Sequence, residues 1–255
     1  MNRFLSLLRL EYDLIWSLPF LGVVYVMMFA AFIAGHGDVT AGVTSNLQRE
    51  GEAVYLYAGL GGSYYYSSVF LVVFTSYVYS KSLAGQISNG FIKTIMSYPI
   101  GRTRLLLAKL LSNYLFLLVA GLLPALYSQL LWNVRLEILG VLVTAYSVKL
   151  LFYSSLVALI SLLAGEPMTS LVGSILILFA LEAAPSFFWS IKIERAARII
   201  NAYTIATGLY EALRSRSWLE ALVMSDALAT IAVYTISPAV LIMACLYLFK
   251  RMDLD

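Results

Sequence analysis

Two ionisable side chains, Lys149 and Glu182, fall deep inside long apolar runs. A charge left alone in hydrocarbon costs several kcal/mol, so such residues pair, line wet cavities or carry protons. Lys149 stands about fourteen residues from one end of its run, and Glu182 about thirteen from the adjoining end of the next. A short turn joins the two runs, so antiparallel helices bring both charges to similar depth. The expected chemistry is an intramembrane salt bridge. A proton relay fits less well, because no series of further acids or histidines continues from the pair. His36, the only histidine, lies in a turn, and the single cysteine, Cys245, lies in an apolar run. An intrachain disulfide and a cysteine-based metal site are therefore excluded, and no metal ligands are assigned.

The second group of residues able to act is basic. Ser80–Lys109 carries Lys81, Lys93, Arg102 and Arg104 with no acidic residue. Leu83, Ile87, Phe91 and Ile95 recur every four residues, and Ile92 and Met96 widen this into a helical stripe. Ser88, Asn89, Lys93, Thr94 and Ser97 fall on the other side. Asn89-Gly90 interrupts the pattern and marks a bend or a fresh helix start. Pro99 ends it, because Tyr98 before it is biased away from helical geometry. Arg102 and Arg104 then stand at headgroup depth. Such a segment reads either as an interfacial helix on anionic lipid or as a coupling helix, a rod docked on a moving partner. Glu166, in the short turn Ala164–Met168, is a smaller contact for the same partner or simple helix-turn-helix punctuation.

The elements that position these residues follow from composition. The chain of 255 residues is 61% hydrophobic and 12% charged, against about a quarter charged in soluble domains. The apolar excess comes in long runs, as a polytopic membrane protein requires. The net charge of +3 does not point to nucleic acid. Six runs are long enough to span: Leu14–Ala34, Tyr64–Ser80 (with Val54 as the earliest start), Leu105–Leu131, Ile138–Leu163, Thr169–Trp189 and Ala227–Phe249. The expected fold is all-α, one membrane domain over residues 1–255. Pro19, Pro124, Pro185 and Pro238 fall in or at the ends of spans, which neighbouring groups tolerate; Pro238 is the expected kink.

Met1–Asp13 reads as an amphipathic surface helix, with Phe4, Leu5, Leu7, Leu8 and Leu14 on its apolar side, rather than as a cleavable signal. An even span count puts both termini on one side. The basic cluster at Lys81–Arg104 favours placing them in the cytoplasm. Gly35–Ser63 reads as an outer glycine-rich loop, with Ala58 and Gly62 on a small-residue face suited to close helix contact. Ser190–Ser225 reads as one or two short helices at the outer surface or dipping into it, with Ile193, Ala197 and Ile200 on one face. Tyr64, Tyr65, Tyr66, Tyr77 and Tyr79 are expected as interfacial anchors, with the lining of a substrate path as the second reading.

The run Gln86-Ile-Ser-Asn-Gly90-Phe-Ile-Lys-Thr-Ile-Met-Ser-Tyr-Pro99-Ile-Gly-Arg102, followed by Leu107-Ala-Lys109-Leu-Leu, resembles the type-2 ABC permeases. So do six spans with internal termini and the ending Phe249-Lys-Arg-Met-Asp-Leu-Asp. The likeness covers the whole chain in layout and Gln86–Lys109 in motif. Members often place an acidic residue four positions before the glycine, where this chain has Gln86. A glutamine there can hydrogen-bond but cannot form an ion pair. The resemblance implies a permease subunit, more an exporter than an importer, of the plasma membrane. A separate cytoplasmic ATPase holding ATP and magnesium would dock on Gln86, Asn89, Gly90, Phe91, Lys93, Pro99, Arg102 and Glu166. A second copy or a related permease would complete the pathway. The chain itself has no G-x-x-x-x-G-K-[ST] loop, and no catalytic role or cofactor is expected in it. A membrane-embedded enzyme is disfavoured by the lack of an H-E-x-x-H pair or nucleophile–base set. A secondary carrier, which would want ion-binding groups in related halves, and a non-transporting scaffold are the rival readings.

Overall fold

A computed structural model describes residues 9–10, 12–13, 15, 20, 22–30, 68–96, 101–132, 136–214 and 217–252. These are 92% helical, without strands among them. The described helices are α1 (22–30), α2 (68–79), α3 (Phe91–Met96), α4 (Arg102–Trp132), α5 (Leu136–Ala164), α6 (Pro167–Ser190), α7 (Glu194–Ile200), α8 (Tyr203–Arg214), α9 (Trp218–Met224) and α10 (Ala227–Arg251). Four segments are long and apolar enough to cross a membrane: Arg102–Leu123, Leu139–Ala164, Pro167–Ser190 and Ala227–Arg251. They overlap the last four segments expected as spans. The first two expected spans fall only partly within the described residues. Residues 1–8, the Gly35–Ser63 loop with His36, Ala58 and Gly62, the tyrosines at 64–66, and Ser97 and Pro99 lie outside them.

The apolar surface explains why these helices suit a bilayer. On α6, Val172, Leu176 and Phe187 are exposed, and on α10 so are Ile236, Val240 and Met243. Soluble monomers rarely display a contiguous apolar surface of such extent. α5 is the hub, with α4, α6, α8 and α10 all packed on it. Its Leu142, Leu150, Val157 and Ala158 are fully buried. α10 runs continuously through Pro238 and α6 through Pro185.

α5 and α6 form a helical hairpin about Gly165, whose φ of +63° is a backbone state that side-chain-bearing residues rarely adopt. Glu166 and Pro167 then start α6, proline being well suited to a first helical position. The hairpin seam runs in steps of four: Lys149, Tyr153, Val157 and Ser161 on α5; Ser170, Ser174, Leu178 and Glu182 on α6. In an α-helix that spacing keeps residues on one face. Ser161 Oγ lies 2.7 Å from Ser170 Oγ at the turn end.

Two contacts gather helix ends into a common face. Ser170 Oγ also lies 2.7 Å from Ser80 Oγ, which ties α2 to the hairpin turn. Arg102 Nη1 donates to the carbonyls of Lys250 (3.1 Å) and Met252 (2.8 Å), which ties the start of α4 to the end of α10. This face carries Lys81, Lys93, Arg102, Arg104, Lys250 and Arg251, and we call it the basic end.

At the opposite end the segment expected as one or two short helices forms three, α7 to α9. α8 packs against both α5 and α10, with Ile205 and Ala206 in the main core, so the segment folds back into the bundle rather than lying over it. Of the three residues assigned to one face, Ala197 is buried whereas Ile193 is 48% exposed. Asp226, at φ +59°, joins α9 to α10 and binds Arg195 Nε (3.2 Å) and Arg198 Nε (3.0 Å).

Candidate functional site

At the basic end the chain leaves α2 through an irregular elbow. Residues Ser80–Gly85 form a π-helix, followed by a single α-turn, Gln86–Ser88. The expected end of the second span at Ser80 is thus overrun by eight residues. A π-turn inserts extra backbone into the helix and rotates all that follows, and such turns concentrate at functional sites. Asn89 and Gly90 break the helix, Gly90 with φ +74°. The Asn89 Oδ1 accepts the Phe91 backbone N–H at 3.0 Å, which starts α3. The stripe therefore exists as two pieces around the bend expected at Asn89-Gly90, rather than as the single rod of a coupling helix. Its amphipathic sense is as expected: Ile92 and Ile95 are buried, while Ser88, Asn89, Lys93 and Thr94 are exposed.

Within this elbow the structure separates residues that the sequence placed on a single docking surface. Asn89 and Lys93 face outward. Gln86 is only 6% exposed, and its Oε1 accepts from Lys109 Nζ at 2.6 Å. Lys109 is fully buried, so Gln86 acts inside the protein, fixing α4 to the elbow. Phe91 is half-buried and packs on the core. Arg102, expected at headgroup depth, spends its guanidinium on the C-terminal carbonyls of α10. A cation there neutralises the negative end of the helix dipole and satisfies carbonyls that have no helical partner. Glu166 is exposed and accepts from Thr169 Oγ1 at 2.7 Å, as helix-start punctuation does.

The Arg102 contact has a measurable consequence. Arg102→Gln removes two charge-assisted hydrogen bonds from a partly exposed site, worth about 1 kcal/mol together. The apparent melting temperature should fall by about 3 °C. Amide exchange should accelerate at residues 248–252 and stay unchanged in α6.

A second polar site lies inside the bundle. Lys149 Nζ is 2.6 Å from Glu182 Oε1, with the two side chains 5% and 17% exposed. Lys149 lies fifteen residues before Ala164 and Glu182 fifteen after Pro167, so both stand about 22 Å from the hairpin turn. The ammonium also sits over the rings of Tyr153 (5.4 Å) and Tyr203 (5.1 Å). Tyr234 donates to the Ile200 carbonyl at 2.6 Å and stacks edge-on with Phe152. The tyrosines from α5, α8 and α10 were not assigned to this site from sequence; Tyr153 alone was legible in principle, four residues from Lys149. Chemically this is a closed, neutral ion pair that ties α5 to α6, with the Tyr203 ring bringing in α8.

Tyr79 corrects the anchoring assignment. It is fully buried, and its hydroxyl donates to the Leu110 carbonyl at 3.0 Å. Tyr77 is partly buried, beside Phe20 and Lys81. Cys245 is buried, with Sγ 3.9 Å from the Ser155 carbonyl oxygen. Among the described residues no group of histidine, cysteine, aspartate and glutamate side chains could hold a metal ion. No protein-family model matches the chain, and no curated protein is significantly similar to it.

Proposed function

We propose that this chain is the membrane subunit of an ATP-driven transporter of the type-2 ABC class. It has six spans, cytoplasmic termini and a place in the plasma membrane, and it acts more as an exporter than as an importer. A separate cytoplasmic ATPase holding ATP and magnesium drives it, and a second copy or related permease completes the path. The observation that carries this reading is α3: an exposed polar face, Lys93 and Thr94, over a buried apolar one, Ile92 and Ile95. A push on that face reaches the membrane helices by short mechanical links. Gln86–Lys109 joins the elbow to α4, Arg102 joins α4 to α10, and Ser80–Ser170–Ser161 joins α2 to the α5–α6 hairpin.

Two measurements test the proposal. Cys245 is buried, so an introduced Thr94→Cys is the thiol that a membrane-impermeant reagent should reach. Labelling in intact cells would overturn the cytoplasmic placement; labelling only after permeabilisation supports it. Purification of the full chain from its own membranes should then carry along an ATPase with a phosphate-binding loop. Loss of that ATPase on Lys93→Glu, with the protein still folded, is the expected result. A transport-competent preparation without any ATPase would sink the ABC reading and favour a carrier.

A further inference from the structure

Beside the elbow, at the basic end, a cleft of about 460 Å³ opens between the α2–α3 connection and the start of α6. Of its polar side chains Ser80 is already bonded to Ser170, and Lys81, Gln86 and Asn89 have donors to offer. Gln86 must turn its Oε1 toward Lys109, because an ammonium only donates; the Nε2 donor is left for the cleft. Asn89 likewise commits Oδ1 to the Phe91 N–H, leaving its Nδ2 as a donor. Lys81 adds an exposed ammonium 5.7 Å from the Tyr77 ring centroid. Three donors, one of them cationic, line the cleft with both amide oxygens already engaged. That arrangement selects an anion with several acceptor oxygens.

The rest of the wall is apolar and supplied by Ile15, Tyr77, Met168 and Leu171 among others. From Met168 an exposed strip climbs α6 in steps of four through Val172 and Leu176, which are 64%, 49% and 64% exposed. A head held in the cleft therefore has an apolar track for a chain attached to it. The geometry points to a binding site for an anionic phospholipid, its phosphate on Lys81, Gln86 and Asn89 and one acyl chain along α6. The site borders α3 but does not use the Lys93 face, so it stands whether or not an ATPase docks there.

Native mass spectrometry on the delipidated full-length protein, with any subunits that accompany it, tests this. The probes are phosphatidylglycerol, phosphatidylcholine of equal chain length, and sn-glycerol 3-phosphate. Phosphatidylglycerol should bind in preference to phosphatidylcholine, and Lys81→Gln should weaken it about fivefold, the effect of one cation beside an anionic headgroup. Lys81→Arg should restore binding. Arg104→Gln, a charge change at the same end but outside the cleft, should leave it unaltered. Equal binding of the two lipids, or equal losses from Lys81→Gln and Arg104→Gln, would overturn the site as mere surface charge. Glycerol phosphate binding as tightly as the lipid would assign the cleft to a soluble phosphate compound instead.

Discussion

Glu182→Gln is expected to lower the apparent melting temperature of the full-length protein by about 10 °C. Removing one partner of a buried ion pair costs about 3–5 kcal/mol, and a protein of this size loses about 2–4 °C per kcal/mol. The cost arises because Lys149, 5% exposed, stays where it is and loses the carboxylate 2.6 Å away. The Tyr153 and Tyr203 rings, at 5.4 and 5.1 Å, still attract the ammonium and place the loss nearer the lower bound. The double substitution Lys149→Gln/Glu182→Gln distinguishes pairing from simple packing. Two amides of nearly the same shape can hydrogen-bond to each other, and no charge remains stranded, so more than half of the lost stability should return. A double variant no more stable than Glu182→Gln alone would show that the two charges are not coupled. Tyr203→Phe, which keeps the ring, should be near neutral, whereas Tyr203→Ala should loosen α8 and raise its amide exchange.

The Lys149–Glu182 geometry was legible in the sequence for a simple reason. Both residues are counted from the same tight turn along antiparallel helices, so helical rise alone sets their depth. Arg102 is the opposite case. Its role depends on a contact across 150 residues, and nothing local distinguishes a headgroup arginine from one that caps a distant helix. Tyr79 resembles an interfacial anchor by its place near a span end. The π-turn carries α2 past that end and leaves Tyr79 inside, where the Leu110 carbonyl satisfies its hydroxyl. The same π-turn hid the partner of Gln86. A regular helix from α2 would have continued the stripe as one rod, and periodicity cannot register inserted backbone. The four later helices long enough to cross a membrane were readable because apolar length is a direct statement about bilayer thickness. The three short helices after α6 were not, since amphipathic pieces of seven to twelve residues take their position from what they pack on.

Gln86 provides the second large effect, and its sign depends on the residue introduced. Gln86→Leu removes an acceptor from a fully buried ammonium. A hydrogen bond to a charged group is worth about 1.5–3 kcal/mol, so the melting temperature should fall by about 5 °C. Gln86→Glu should raise it instead. Lys109 is already desolvated in the native protein, so the added carboxylate gains the full attraction of a charge at 2.6 Å. The ammonium 2.6 Å away, already buried, offsets the cost of burying the new charge. The same change replaces a donor in that cleft by a negatively charged acceptor. Phosphatidylglycerol binding should therefore weaken while thermal stability rises, whereas Lys81→Gln should weaken the lipid and leave stability nearly unchanged. Opposed movement of the two readouts in one variant is difficult to obtain from a general loss of structure. If Gln86→Glu destabilises as much as Gln86→Leu, then Gln86 fits its pocket by shape and the electrostatic account of the elbow fails.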